Sequence, residues 1–126
     1  DGIDHTMTVD RRDQVRALLK AIETGDAVSV TVVSTETYIQ HNPQTLDGSD
    51  GLAELFQRLS LRSPKVEIVR AFEDGDFVFG HTGYDFGNPR VGFEVFRFED
   101  GLIVEHCDTV EAIDPRDEWK NNNGTF

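Results

Sequence analysis

The hydrophobic repeat changes once along this chain, from helical spacing before Pro64 to strict alternation after it, and that switch limits the folds open to it. Val15, Leu18, Leu19 and Ile22 fall on one helix face, from Asp13 to a stop at Gly25. Leu52, Leu55, Phe56 and Leu59 form a second such face behind Ser49 or Asp50 as cap. Between them, the segment from Asp26 is β-branched (Val28, Val30, Thr31, Val32, Val33) and suits a strand as well as a helix. Tyr38–Pro43 reads as a short extended piece ended by its proline. After Pro64 come strands at Lys65–Phe72, Phe77–Tyr84, Val91–Glu99 and Leu102–Ala112. Glu73-Asp74-Gly75-Asp76 and Asp100-Gly101 are hairpin turns, and 85–90 is a loop. Residues 1–12 read as a polar arm, 13–113 as the domain and 114–126 as a polar, fraying tail. Helices followed by a meander give an α+β fold, N-terminal helices packed on a strongly curved antiparallel sheet. Such a sheet wrapped round helices leaves a cone whose open end suits a small molecule.

The length of 126 residues holds one domain. Twelve Lys+Arg against 24 Asp+Glu give a formal charge of −12. That charge repels phosphate backbones and anionic lipid, so neither nucleic acid nor membrane is an expected partner. It also favours neutral or cationic ligands over anions. The single cysteine, Cys107, excludes an internal disulfide and any multi-cysteine zinc site, and it fits a cytoplasmic location. It reads as a small packed side chain. No apolar run reaches the roughly 20 residues that a membrane span needs.

Chemistry enters with polar residues in mid-strand, because burying them is costly unless they are paired. Residues two apart share a strand face, which groups Val104, His106, Asp108 and Val110 opposite Ile103, Glu105, Cys107 and Thr109. Glu94 shares a face with Gly92, Phe96 and Phe98, and His81 with Phe77 and Phe79. A carboxylate in an apolar cavity becomes a usable base near neutrality, and a neighbouring imidazole can orient it. Asp108 is the candidate base and His106 its partner, with His81 and Glu94 as contacts to a substrate oxygen. Tyr38, Phe79 and Phe96 are candidate lining residues. The competing reading has His106 and Asp108 facing solvent, or satisfied by each other. His41, His81 and His106 with Asp108 or Glu94 are metal-ligand types, but their spacing carries no metal signature, so no metal is expected. Nucleophile elbow, P-loop and dinucleotide-binding glycine patterns are all missing.

Tyr38-Ile39-Gln40-His41-Asn42-Pro43, Asp47-Gly48 and the Leu/Phe-rich helix after them form one recognisable block. Phe79-Gly80-His81-Thr82 and the run from Glu94 through Arg97, Asp100-Gly101 and Glu105-His106 to Asp108 form another. Together they resemble the SnoaL-like polyketide cyclase branch of the NTF2-like superfamily over roughly residues 13–113, the last run being similar to D-x-F-R-x-x-D-G-K-I-x-E-H-W-D. The resemblance implies the cystatin-like cone, a homodimer and one small-molecule pocket per subunit. It implies cofactor-free acid/base chemistry, as in cyclases working by intramolecular aldol condensation and in related isomerases, dehydratases and epoxide hydrolases. By the same motif Asp108 takes the acid/base role, while His106 and His81 bind or polarise a carbonyl. Asn42 or His41 lies near the place where isomerases carry their base, here not a carboxylate, which argues against steroid isomerisation. Glu94 stands in place of the usual Asp and Cys107 in place of Trp. The expectation is a cofactor-independent enzyme acting on a small carbonyl compound; the alternative is a non-catalytic ligand-binding or dimerisation module.

Overall fold

Asp10 accepts a hydrogen bond from the Arg12 backbone N–H at 2.9 Å and so caps helix α1 (Arg11–Lys20) two residues ahead of its expected start. The computed structural model describes residues 10–126; the rest of the expected arm lies outside the described residues. Val15, Leu18 and Leu19 are buried on one face of α1, and the 3-10 turn Ala21–Glu23 continues it to bury Ile22. The ambiguous segment is neither an α-helix nor a strand: Ala27–Val32 is a 3-10 helix, and Val33 bridges to Ile103. Helix α2 (Gly48–Ser60) starts behind Asp47 and buries Leu52 and Phe56.

Five strands form one mixed, curved sheet in the order β1-β5-β4-β3-β2. They are β1 (Ile39–Gln40), β2 (Lys65–Asp74), β3 (Phe77–Asp85), β4 (Pro89–Glu99) and β5 (Leu102–Ala112). The long strands are antiparallel, whereas β1 runs parallel to β5. Asp100 (φ 52°) and Gly101 (φ 80°) both adopt the left-handed conformation that the tight β4–β5 turn demands. The helices cover one sheet face, called inner below, and the core between them includes Leu18, Leu52, Phe56, Val78 and Phe96.

Two bulges shift strand parity. The β2–β3 register passes from Ile68↔Thr82 to Arg70↔His81, leaving Val69 extra; the β4–β5 register passes from Arg97↔Glu105 to Phe98↔Ile103, leaving Val104 extra. Ile103 is therefore fully buried with Val104, not turned outward beside Glu105 as uninterrupted alternation suggested. Cys107 is exposed on the outer face, not packed. The tail also departs from expectation. Trp119 Nε1 donates to the Asp114 carbonyl at 2.7 Å, and the Phe126 ring lies 4.9 Å from that of His81. No helix among the described residues is long and apolar enough to cross a membrane.

Candidate active site

Cross-strand register assembles the site. Glu94 faces Asp108, Phe96 faces His106, and Gln40 on β1 pairs with His106 from the other side. His106 Nε2 lies 2.7 Å from Glu94 Oε1, and its Nδ1 lies 3.0 Å from Gln40 Oε1. Both members of the His106–Glu94 pair are buried. Gln40 is itself fixed: its Oε1 accepts from the Asn42 backbone N–H at 3.0 Å, and its Nε2 donates to the Tyr38 hydroxyl at 2.8 Å. A backbone N–H only donates, so the amide oxygen is the atom turned to His106, and Nδ1 carries a hydrogen. At 2.7 Å, one proton lies between Nε2 and the Glu94 carboxyl. Phe96 stacks on the imidazole at 4.5 Å and 21°. Gln40→Leu removes the Nδ1 acceptor and is expected to cost about 2 kcal/mol of stability. It should also move the His106 imidazole nitrogen resonances; unchanged urea unfolding and unchanged resonances would contradict this linkage.

Asp108 sits beside this pair. Burial, reinforced by the Glu94 charge and opposed by His106, pushes its carboxyl from 3.8 up to about 6. Tyr84 and Tyr38 are buried nearby, and burial first, then the surrounding carboxylates, raises both phenols, which stay protonated. Glu94 Oε2 is buried without a hydrogen-bond partner among the described residues. Gly92 keeps the space above it open, since a Cβ there would stand 2.6 Å from the Tyr84 ring and 3.1 Å from Glu94 Oε2.

A cavity of about 700 Å³ opens over this cluster, between the inner sheet face and the helices. Leu18, Leu19, Ile22, Leu52, Phe56 and Phe96 supply its apolar wall, and Tyr84, Glu94, His106 and Asp108 are among its polar lining. A larger groove of about 1160 Å³ runs between α1 and the ends of β2 and β3, but none of Glu94, His106 and Asp108 borders it. Size therefore does not identify the site; the buried titratable cluster does.

The structure brings together Glu94, His106 and Asp108 and leaves His81 out, which corrects the expectation that all four converge. On β3 the inner-face residues are Val78, Gly80, Thr82 and Tyr84, and the partner of Glu94 is Gly80. His81 pairs with Phe93 on the outer face, where its Nδ1 lies 2.6 Å from Arg70 Nη1. Phe79 shares that parity and stacks on Phe72 at 5.2 Å, so it does not line the cavity. Phe96, His41 and Asn42 do border it, but the His41 ring is held by Glu105 at 2.7 Å. Tyr38 is buried behind Gln40. Sequence reasoning missed Gln40 and Tyr84 as site residues; the signal for Tyr84 was its alternation with Thr82 and Gly80. The three-histidine grouping is not formed. Glu94, His106 and Asp108 instead each offer one ligand atom, all within 4.8 Å of one another, a set a divalent cation accepts only by displacing the proton between Nε2 and Glu94.

Two helices against an unclosed, curved five-stranded sheet give this chain the NTF2-like fold. Residues 15–106 match the SnoaL-like domain, and the chain belongs to that family. Among solved structures it is similar to a putative ketosteroid isomerase from Kribbella flavida, with TM-score 0.72 and 16% identity over 90% of each chain. A putative polyketide cyclase from Bacillus cereus aligns with TM-score 0.67 and 17% identity over 78% of this chain and 72% of its own. An LEH-like epoxide hydrolase from M. tuberculosis gives TM-score 0.63 and 23% identity, covering 79% and 81%. At these identities the likeness is one of fold. No curated protein matches in sequence.

Proposed function

We propose that this chain is a cofactor-independent enzyme that moves a proton at the carbon beside a carbonyl, in a small molecule held in the 700 Å³ cavity. The observation that carries this reading is Asp108, a carboxyl pushed up to about 6 that borders an apolar cavity and adjoins the His106–Glu94 pair. Asp108 takes the α-proton; the C–H electron pair becomes the C=C bond of the enolate, and the carbonyl π pair moves to oxygen. The Tyr84 hydroxyl, which borders the cavity, is the donor at hand for that oxygen. His106 acts as a positioning residue, oriented by Gln40. The enolate then either recovers the proton at another carbon or attacks a second carbonyl. The names of the structural relatives, isomerase, cyclase and epoxide hydrolase, support an enzyme over the non-catalytic binding module. So does a cavity that aromatic side chains leave unfilled.

The test is α-proton exchange in D₂O, followed by NMR, for 2-tetralone and a panel of small ketones. Saturable exchange that Asp108→Asn removes and EDTA leaves intact is expected. Exchange at the buffer rate for every ketone shown to bind would overturn the reading.

We also propose a homodimer joined through the outer sheet face. Phe72, Phe77 and Phe93 there are each at least 40% exposed, and with Phe79 they form ring contacts at 5.2–6.4 Å. Two copies of charge −12 repel, so an apolar contact must hold them together. Sedimentation should give a dimer for the parent chain and a folded monomer for Phe93→Arg; a monomeric parent would contradict it. The exposed, unpaired Cys107 fits the reducing cytoplasm that we propose as its location.

A further inference from the structure

The charge around the cavity opposes the charge of the molecule. The chain carries −12 overall, yet Arg58, Arg62 and Arg90 border this cavity. Its two carboxyl groups, Glu94 and Asp108, lie deeper. Arg58 is bonded to Glu54 at 3.3 Å. Arg62 and Arg90 make no side-chain hydrogen bond or ion pair among the described residues. Arg90 is half-buried and shares the inner face of β4 with Gly92 and Glu94. Four steps along the extended chain take it to Glu94, roughly 13 Å away. A partly desolvated guanidinium without a partner is a ready site for an oxyanion, which it can bind through two parallel N–H donors.

Building on the proposed function, we propose that the substrate is an apolar carbonyl compound that also carries an oxyanion group. That group is held by Arg62 and Arg90 at the exposed end of the cavity, with the apolar body along the Leu52 and Phe56 wall. The carbonyl reaches Asp108 at the other end. Net charge alone pointed the other way, toward neutral or cationic ligands. Local geometry prevails because surface charges farther away than about 8 Å are largely screened at physiological ionic strength, whereas direct contact with the half-buried Arg90, beside the exposed Arg62, is screened less.

Two dyes that differ by one sulfonate test this. 8-Anilinonaphthalene-1-sulfonate is the anionic probe, and N-phenyl-1-naphthylamine is its neutral counterpart; both report binding by fluorescence. The parent chain is expected to bind the sulfonate about tenfold more tightly than the neutral dye. Arg62→Gln and Arg90→Gln should each weaken sulfonate binding, and together they should bring it to the level of the neutral dye, whose affinity stays constant. Arg62 borders this cavity and not the larger groove, so its effect locates the probe. Equal affinities in the parent chain, no binding of either dye, or arginine variants that weaken both dyes alike would overturn the proposal. Loss of sulfonate preference with intact Asp108-dependent exchange removes the anion site alone. Sulfonate preference without any exchange supports the anion site and removes the catalytic reading.

Discussion

Asp108→Asn is expected to lower proton transfer by about 10²–10⁴-fold and, at the same time, to make the protein more stable above pH 6. The two effects share one cause. Asp108 is raised from 3.8 to about 6, so the folded chain holds its proton more tightly than the unfolded chain does. Between those two pH values the folded state keeps a proton that the unfolded state has lost. Stability from this group therefore falls as pH rises through the window, and the whole penalty stands above it. A full two-unit shift corresponds to nearly 3 kcal/mol, but Asp108 is only partly buried, and solvent screening reduces this to about 1 kcal/mol. Asparagine keeps the shape without the charge. Its melting temperature should exceed that of the parent by about 4 °C at pH 7.5, with the difference gone below pH 4. An inactive variant that is also less stable at pH 7.5 would mean that Asp108 matters through packing and not through a base held at a cost.

Glu94→Leu is expected to cost about 3 kcal/mol, the penalty for leaving one member of a buried pair alone. His106 Nε2 would then stand in an apolar wall without the partner it now has at 2.7 Å. Adding His106→Phe should restore most of the lost stability, because the new ring can lie on Phe96 where the imidazole now stacks. The double variant should nevertheless remain inactive. Urea unfolding of the two singles and the double gives the coupling directly. A Glu94→Leu single within 1 kcal/mol of the parent would mean that the pair contributes neither order nor charge to the site.

The contrast between residues read correctly and those misplaced has a physical basis. Strand alternation was enough to put Glu94 and Phe96 on one face and His106 and Asp108 on one face, and the succession of the two strands suggested joining them. The same alternation put His81 with Phe79, but it could not say which side of the sheet they occupied. Phenylalanines were the obvious choice for the core, yet in β3 the smaller Val78, Gly80 and Thr82 face inward with Tyr84, and Phe77 and Phe79 face out. Gly80 and Gly92 explain this choice, since the inner face must stay thin where Leu19 packs and where Glu94 and Tyr84 need room. Ile103 was misplaced because a bulge at Val104 reverses parity, and a bulge leaves little trace in hydrophobic spacing. Gln40 escaped notice because its importance depends on a parallel pairing with β5, a contact between residues 66 apart. The positive rim was likewise hidden, since net charge sums over a surface and the cavity selects three arginines from it.

The most direct test of Asp108 as a base poised for neutral pH is a ¹³C NMR titration of the side-chain carboxyls, with Asp108→Asn used to assign its signal. The expected result is a midpoint near 6 that falls in Glu94→Gln, because one of the two raising influences is then gone. A midpoint near 4, unmoved by Glu94→Gln, would show an ordinary surface carboxylate and contradict the proposed chemistry.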